Sequence, residues 1–127
     1  MDVQEQNERG FKLRVDMFGR EAVDKRMNAF GDFGKPLQHI INAYAYGDVW
    51  QRPSLPPTVK SLVMVAMMGA AGHNNELRVH LKGALKNGCT PEEVREVLLL
   101  VALYCGIPAA NEAHRAAMDV LAEEKKI

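Results

Sequence analysis

The sequence predicts an all-α fold of about six to seven helices, and three observations carry that prediction. Apolar residues recur three and four positions apart along most of the 127-residue chain, which is the spacing of one helix face. No segment alternates apolar and polar residues as a half-buried strand does. The stretch Thr90-Pro91-Glu92-Glu93 combines a capping box with proline at the first helical position, so it marks a helix start.

The first part of the chain predicts three helices. Phe11, Val15 and Phe18 lie on one face of a helix over residues 3–18, and Gly19 is placed to end it. A short amphipathic helix follows over residues 21–27, before glycines that indicate a loop. The third helix ends near Gly47, and its apolar face is made of Leu37, Ile40, Ile41, Tyr44 and Ala45.

A proline-rich connector follows Trp50. Residues 51–57 contain three prolines, and proline prevents both helix continuation and the hydrogen bonds of a strand ladder. The segment is therefore predicted to be extended, and because it is short we expect it to hold Arg52 in a fixed place.

The next two helices form the predicted core. Thr58 is placed to cap a helix whose residues 61–68 are apolar almost all round, and we expect that helix to be buried. Asn74 or Asn75 is expected to cap the following helix, which runs to about Asn87. The core stripe of this second helix is made of Leu77, Leu81, Ala84 and Leu85.

The last two helices indicate an oligomer. The helix that starts after Thr90 is apolar on every face from Val97 to Cys105, which is too short to span a bilayer but typical of a central helix between subunits. After Pro108, a final helix carries small residues that permit close packing, namely Ala109, Ala113, Ala116 and Ala117.

Composition limits the function classes. The length favours a single domain over residues 1–127. Sixteen basic and sixteen acidic residues give a net charge of zero, so no overall field attracts nucleic acid or an anionic membrane. Cys89 and Cys105 form neither a Cys-x-x-Cys motif nor a zinc spacing. The start of the chain has no export signal pattern, and we expect a cytoplasmic protein.

The candidate catalytic residues are Glu76, His80 and His73. Glu76 and His80 lie one helical turn apart, with His73 one turn before Glu76. They border the core stripe, so we expect partial burial, shifted pKa values and proton transfer near neutral pH. Two alternatives stay open from spacing alone: an ordinary surface pair that stabilises the helix, and a metal site, although the spacing is not that of a known zinc helix.

The candidate anion-binding residue is Arg52. A guanidinium fixed by a rigid loop is suited to hold a carboxylate with two parallel hydrogen bonds. The alternative is a surface arginine stacked on Trp50.

Blocks of sequence spread over nearly the whole chain resemble the 4-carboxymuconolactone decarboxylases. They are Arg52-Pro53-x-Leu55-Pro56, Lys60-Ser61-Leu62, Glu76-Leu77-Arg78-x-His80-Leu81, Asn87-Gly88-x-Thr90, Glu93-x-x-Glu96-Val97-Leu98-Leu99 and Tyr104-Cys105-Gly106-Ile107-Pro108-Ala109-Ala110-Asn111. The resemblance also includes the opening Glu8-Arg9-Gly10 region and Gly47-Asp48-Val49-Trp50.

The resemblance implies a helical bundle of the AhpD-like superfamily, a homo-oligomer that is commonly a hexamer built as a trimer of dimers, and a role in the β-ketoadipate pathway of aromatic-acid breakdown. Peroxidases of that superfamily carry a Cys-x-x-Cys-x-x-x-His motif, and the two cysteine positions are His73 and Glu76 here. The chain also departs from the usual decarboxylase pattern at Ala43, where that family has arginine, at Tyr46, where it has tryptophan, and at Val59-Lys60, where it has threonine and arginine.

The resemblance further implies a decarboxylase without cofactor or metal, converting 4-carboxymuconolactone or a close lactone acid to 3-oxoadipate enol-lactone. Arg52 would bind the acid, with Arg78 or Lys60 as a helper and Trp50 beside it. His80 would donate to the developing oxyanion and Glu76 would return the proton, or the reverse, with His73 as a relay. The alternative is a divergent member that binds a small aromatic or quinone-like ligand, or one with residual peroxidase-type activity.

Overall fold

The computed structural model describes residues 2–127 and confirms an all-α fold, with no strand in that range. The α-helices are α1 (Val3–Phe18), α2 (Arg20–Asn28), α3 (Lys35–Ile40), α4 (Pro57–Ala71), α5 (Asn74–Lys86), α6 (Pro91–Cys105) and α7 (Ile107–Glu123). Short 3₁₀ turns occupy Gly31–Gly34 and Val49–Gln51, and α3 continues as a wider π-helical turn over Ile41–Tyr46.

Contacts within the chain divide it into two compact units. The first ends at Leu55 and the second begins at Pro56, inside the proline-rich connector. The prediction that the whole connector is extended is only partly right. Arg52 and Pro56 have extended backbone, but Pro53 and Ser54 form a turn and Pro57 begins α4. The interpretation as one domain over residues 1–127 stays a prediction.

The first unit is built on a close approach between α1 and the π-helical turn. A Cβ atom at Gly10 would overlap the carbonyl oxygen of Asn42, and one at Gly47 would overlap the carbonyl oxygen of Gln6. Only glycine fits at both positions, because each backbone lies against the other with no room for a side chain. This contact brings the first half of α1 beside the segment that follows Gly47.

A buried guanidinium reinforces the same contact. Arg14 on α1 is only 4% exposed, and its Nη1 donates to Oε1 of Gln38 at 3.0 Å and to Oδ1 of Asn42 at 2.8 Å. Its guanidinium carbon also lies 5.9 Å from the centre of the Tyr46 ring. Burial lowers the pKa of Arg14, while the Tyr46 hydroxyl acts in the opposite direction. A cation held by neutral partners therefore ties α1 to α3 and the turn.

The second unit has one apolar core shared by α4, α5, α6 and α7. The predicted stripe of α5 is confirmed, because Leu77, Leu81 and Ala84 are buried and Leu85 is partly buried against them. The other helices contribute Val65, Val94, Leu98, Ala113, Ala116, Ala117 and Val120. The small residues of α7 let that helix pack closely, as predicted.

The helix starts agree with the sequence at one position and differ at two. Thr90 and Glu93 form the predicted capping box of α6, with hydrogen bonds of 3.1 and 2.8 Å. The prediction that Thr58 caps α4 is wrong, because the helix begins at Pro57 and its N-cap residue is Pro56, two residues before Thr58. Proline is suited to the first helical position because its nitrogen needs no hydrogen-bond partner. The predicted cap of α5 by Asn74 or Asn75 is also wrong: His73 is the N-cap residue and makes no side-chain cap.

The expected burial of α4 holds for one side of that helix only. Ser61, Val65 and Gly69 are buried, whereas Val63 and Met67 are 44% and 47% exposed. The helix contacts the rest of the second unit along a single face. The burial predicted from its apolar composition is therefore greater than its actual burial within one chain. On α6, Leu103 and Tyr104 are 77% and 84% exposed.

Among the described residues, no helix is long and apolar enough to cross a membrane. Both cysteines are free thiols, with Cys89 buried and Cys105 exposed.

Candidate active site

The candidate proton-transfer residues lie on the first half of α5 in the second unit. His80 is buried, at 6% exposure, with its Nδ1 atom in the interior. Glu76 and His73 are exposed. The expected partial burial is therefore confirmed for His80 and wrong for Glu76. At about 100° per residue, Glu76 lies about 40° further from the core stripe than His80 does, which places the imidazole against the core and the carboxylate at its rim.

The helix itself favours a carboxylate at position 76. Glu76 lies in the first turn of α5, where the backbone N–H groups and the helix dipole stabilise negative charge. The arrangement thus combines a solvent-exposed carboxyl group with a sheltered imidazole one turn away. Such a pair can accept and deliver protons at the edge of a protein interior.

A polar contact that the sequence analysis missed continues the His80 face of α5. Nδ2 of Asn87 donates to Oγ of Ser61 on α4 at 3.0 Å, and Ser61 is only 1% exposed. The sequence signal was Asn87, where the helix was predicted to end and to which no side-chain contact was assigned. The hydrogen bond fixes the end of α5 against α4, next to the face that carries His80.

Arg78 lies on the other side of α5. It is two residues from His80, or about 200° around the helix axis, and its Nη1 forms a 2.8 Å ion pair with Oδ2 of Asp119 on α7. There it lines a cavity of about 550 Å³ together with Asn74, Asn111, His114 and Arg115. Arg78 is thus engaged with α7, while the half-buried Lys60 belongs to α4.

Arg52 and Trp50 belong to the first unit. The Arg52 side chain is exposed, and it holds Asp48 through two hydrogen bonds, Nε to Oδ1 at 3.0 Å and Nη2 to Oδ2 at 3.2 Å. This contact lowers the pKa of Asp48 and raises that of Arg52. Trp50 stacks on Tyr46, with ring centroids 5.5 Å apart and planes at 9°. The ion-pair partner of the guanidinium is therefore Asp48, four residues before it, and its role as an anion-binding group stays a prediction.

A second cavity, of about 450 Å³, lies beside Arg52 in the first unit. It is lined by Gln6, Arg9, Asp48, Gln51, Arg52 and Pro53. Nη2 of Arg9 donates to Oε1 of Gln51 at 3.1 Å. Sequence reasoning assigned no role to Arg9, because the approach of α1 to residues 48–52 depends on glycine contacts far apart in the chain.

The structure thus groups Glu76, His80 and His73 on α5, and it groups Arg52 and Trp50 in the first unit. The cooperation of Arg52 with Glu76 and His80 stays a prediction. Within residues 2–127, no three His, Cys, Asp or Glu side chains gather in a way that could hold a metal ion.

Two of the departures from the decarboxylase pattern are buried. Ala43 is fully buried and Tyr46 is 7% exposed, whereas Val59 is 38% exposed. The carbonyl oxygen of Ala43 accepts a hydrogen bond from Nε2 of Gln6 at 3.3 Å. The region around the π-helical turn is therefore where this chain differs from that pattern inside the first unit.

Comparison with known proteins finds the sequence pattern of the Carboxymuconolactone decarboxylase family in residues 35–119. The chain is 36% identical to 4-carboxymuconolactone decarboxylase of Acinetobacter baylyi over 120 residues, which cover 94% of this chain and 90% of that protein. It is 38% identical to nitrosuccinic acid decarboxylase npaB of Metarhizium robertsii over 104 residues, covering 82% and 73%. Peroxisomal protein 2 of Schizosaccharomyces pombe is 39% identical over 75 residues, covering 56% and 35%.

Proposed function

The chain belongs to the carboxymuconolactone decarboxylase family, and on that premise we propose that it is a decarboxylase that removes CO2 from 4-carboxymuconolactone, or a close lactone acid, without a cofactor. The single observation that carries this proposal is the position of Glu76 and His80 one turn apart on α5, with the carboxyl group exposed and the imidazole buried against the core. They meet the requirement of the reaction for a proton donor to carbon and a donor to an oxyanion.

The substrate supplies its own electron sink. Its departing carboxylate is bonded to a ring carbon next to a C=C that is conjugated with the lactone carbonyl. When that C–C bond breaks, CO2 leaves and the electron pair moves through the double bond onto the carbonyl oxygen, which gives a dienolate. A proton then returns to carbon, and the product is 3-oxoadipate enol-lactone. The protein has to bind the acid, stabilise the oxyanion and deliver that proton.

The substrates named for two relatives, 4-carboxymuconolactone and nitrosuccinic acid, share a chemical feature. Nitrosuccinic acid also loses CO2 from a carbon next to an electron sink, because its nitro group can take the electron pair as a nitronate. In both molecules the carbon that loses CO2 also carries a CH2–carboxylate group that is kept. We therefore propose the substrate class of succinates that carry an electron-accepting group on the carbon that loses CO2.

We assign the steps of this reaction to the following residues. Arg52 binds a carboxylate, with Trp50 beside it and Lys60 or Arg78 as helper. His80 donates a hydrogen bond to the developing oxyanion, Glu76 returns the proton, and His73 relays it; the roles of Glu76 and His80 are exchangeable. The burial of His80 supports the oxyanion role, because a hydrogen bond to a charged acceptor is stronger where water is excluded.

We also propose a homo-oligomer, as a hexamer made of three dimers, in the cytoplasm. Val63 and Met67 on α4 and Leu103 and Tyr104 on α6 are exposed apolar side chains, and such surfaces are commonly covered by another subunit. The free thiols of Cys89 and Cys105 are consistent with a reducing compartment.

The direct test of the activity is incubation of the purified protein with 4-carboxymuconolactone, nitrosuccinate and succinate, followed by CO2 release and ultraviolet absorbance. The proposal predicts catalytic CO2 release from one or both of the activated acids, and none from succinate, which has no electron sink. Binding of the lactone acid without CO2 release would indicate a divergent ligand-binding member instead. Hydroperoxide consumption with a thiol reductant would indicate peroxidase-type activity.

A further inference from the structure

We propose that one face of the helical segment around α3 is an interface at which a second copy of this chain pairs with the first. This α3 face consists of four exposed apolar side chains, Phe33, Leu37, Ile40 and Tyr44. The inference goes beyond the proposed decarboxylation and does not depend on it. It extends the proposed homo-oligomer, because a hexamer made of three dimers needs two kinds of contact. The exposed apolar side chains of α4 and α6 offer one in the second unit, and the α3 face offers another in the first.

The helix α3 buries its polar side and exposes its apolar side. Gln38 and Asn42 are 7% and 2% exposed, because their side-chain oxygens accept hydrogen bonds from the buried guanidinium of Arg14. Leu37 and Ile40, which belong to the apolar face predicted from the sequence, are 47% and 54% exposed. A surface helix of a globular protein normally turns its apolar side to the core. The reversed orientation indicates that a surface outside this chain covers the apolar side.

The spacing of the exposed side chains is that of a helix-pairing seam. Residues 31–46 are helical without a break. Within them, the exposed apolar residues follow at intervals of four, three and four, at Phe33, Leu37, Ile40 and Tyr44. Alternating intervals of three and four place side chains along the narrow line on which two helices pack side by side. The pattern therefore favours another helix as the occupant of the α3 face.

The charge pattern favours an identical helix. From Pro36 to Gly47 the chain has no Asp, Glu, Lys or Arg, so two copies of the face can meet about a twofold axis without opposing like charges. A helix that lies on a membrane surface instead combines its apolar side with a polar side rich in Lys and Arg. The polar side of α3 is neutral at Gln38 and Asn42, and it is buried.

The apolar surface is large enough to contribute to a stable contact. Phe33 is 94% exposed, and Phe30 beside the face is 61% exposed. A stable interface buries about 800 Å² on each partner, and one aromatic side chain can supply about 150–250 Å² of it. The two phenylalanines, together with the half-exposed Leu37, Ile40 and Tyr44, supply a large part of that area.

The test compares Ile40→Glu with Val3→Glu by sedimentation velocity over a range of protein concentrations. Ile40 lies in the middle of the α3 face, so each introduced glutamate would be buried against the partner without a cation. Val3 is an apolar residue of α1 with 43% exposure, and its substitution controls for the added charge. Circular dichroism and thermal unfolding establish that each variant is folded.

We expect the unmodified protein and Val3→Glu to form the same assembly. Ile40→Glu should form a smaller folded species, whose association into that assembly has a Kd at least about 100-fold higher. An unchanged mass and Kd in Ile40→Glu, or an unmodified protein that is monomeric at micromolar concentration, would overturn the inference.

A cross-linking measurement keeps the inference testable if Ile40→Glu does not fold. Ile40→Cys and Val3→Cys are each made together with Cys105→Ala, and the folded proteins are treated with a short bis-maleimide; Cys105→Ala alone controls for the buried thiol of Cys89. Packed helices lie about 8–10 Å apart, so Ile40→Cys should be linked into dimers much faster than Val3→Cys. Equal linking of the two variants, or none, would overturn the inference.

Two further outcomes separate the inference from its neighbours. Unmodified protein that sediments with vesicles of phosphatidylcholine and phosphatidylserine, when Ile40→Glu does not, would show a membrane contact and overturn the pairing of copies. CO2 release by an assembly that Ile40→Glu leaves intact would reject the interface and retain the proposed function. An assembly that Ile40→Glu dissociates, but that does not contain six copies, would retain the interface and reject the hexamer.

Discussion

Glu76 and His80 lie one turn apart on the same side of α5, yet Glu76 is exposed to solvent while His80 is only 6% exposed. One helical turn thus separates a carboxyl group that is exposed to water from an imidazole that is sheltered from it. Two neighbouring titratable groups with different environments are the usual starting point for separate acid and base roles.

The capping box of α6 gives a first prediction. Thr90→Ala removes the side-chain oxygen that accepts from the N–H of Glu93, so we expect the free energy of unfolding to fall by about 1 kcal/mol. Thr58→Ala is the matched control, because Thr58 makes no cap of α4. Urea denaturation at one protein concentration measures both. A loss from Thr58→Ala as large as that from Thr90→Ala would contradict the assignment.

Substitution by alanine should have opposite effects on stability at Gly10 and at Gly69. Gly10→Ala would drive a methyl group into the carbonyl oxygen of Asn42, so we expect a loss of stability of at least about 3 kcal/mol or failure to fold. At Gly69 within α4, a Cβ would meet the Ala113 methyl at an ordinary 3.5 Å. Gly69→Ala should therefore be neutral or stabilising by up to about 1 kcal/mol. Thermal unfolding distinguishes the two, and equal effects would show that the α1 contact is not as close as described.

The buried cation of the first unit gives a third prediction. Arg14→Met leaves the side-chain oxygens of Gln38 and Asn42 buried without their donor, and we expect a loss of about 2–4 kcal/mol. Arg20→Met is the control, because the ion pair of Arg20 with Asp24 is exposed and such pairs contribute less than about 1 kcal/mol. A similar small loss in both variants would mean that Arg14 does not hold the two helices together.

The buried thiol gives a prediction about reactivity and pH. Burial raises the pKa of Cys89, helped by the nearby negative charge of Glu93, and its Sγ lies 3.4 Å from the carbonyl oxygen of Thr58. In a Cys105→Ala variant, a thiol-labelling reagent at pH 8 should modify native Cys89 at least about 100-fold more slowly than the urea-unfolded chain. Labelling at the unfolded rate would contradict the burial.

The raised pKa of Cys89 also predicts how the free energy of unfolding changes with pH. A folded-state pKa above the ordinary 9.0 means that the stabilisation is complete at lower pH and is lost as the pH rises through the folded-state value. The free energy of unfolding of the Cys105→Ala variant should therefore decrease more steeply at alkaline pH than that of a variant that also lacks Cys89.

Local signals and core positions could be predicted from the sequence because their causes lie within a few residues. Thr90 with Glu93 fixed a helix start, and the spacing of Leu77, Leu81 and Ala84 identified a buried face. The cap of α5 could not be chosen by residue type, since His73 occupies that position despite two neighbouring asparagines.

The exposure of apolar side chains and the contacts between residues far apart in the chain could not be predicted from the sequence. An apolar residue such as Met67 or Leu103 gives the same signal whether its own chain or another subunit covers it, so the burial of α4 was overestimated. The meeting of Arg9 with Gln51, 42 residues apart, depends on the glycine contacts of α1, which no local pattern reveals. For the candidate site, the placement of His80 was predictable and the engagement of Arg78 with Asp119 was not.

The most direct test of the account is the kcat for CO2 release from 4-carboxymuconolactone by Glu76→Gln and His80→Ala, compared with Glu124→Gln as an exposed control. We expect Glu76→Gln and His80→Ala each to lower kcat by at least about 10²-fold, the usual contribution of a general acid or base. Glu124→Gln should keep full activity, and all three variants should remain folded. Unchanged kcat in both Glu76→Gln and His80→Ala would contradict the account.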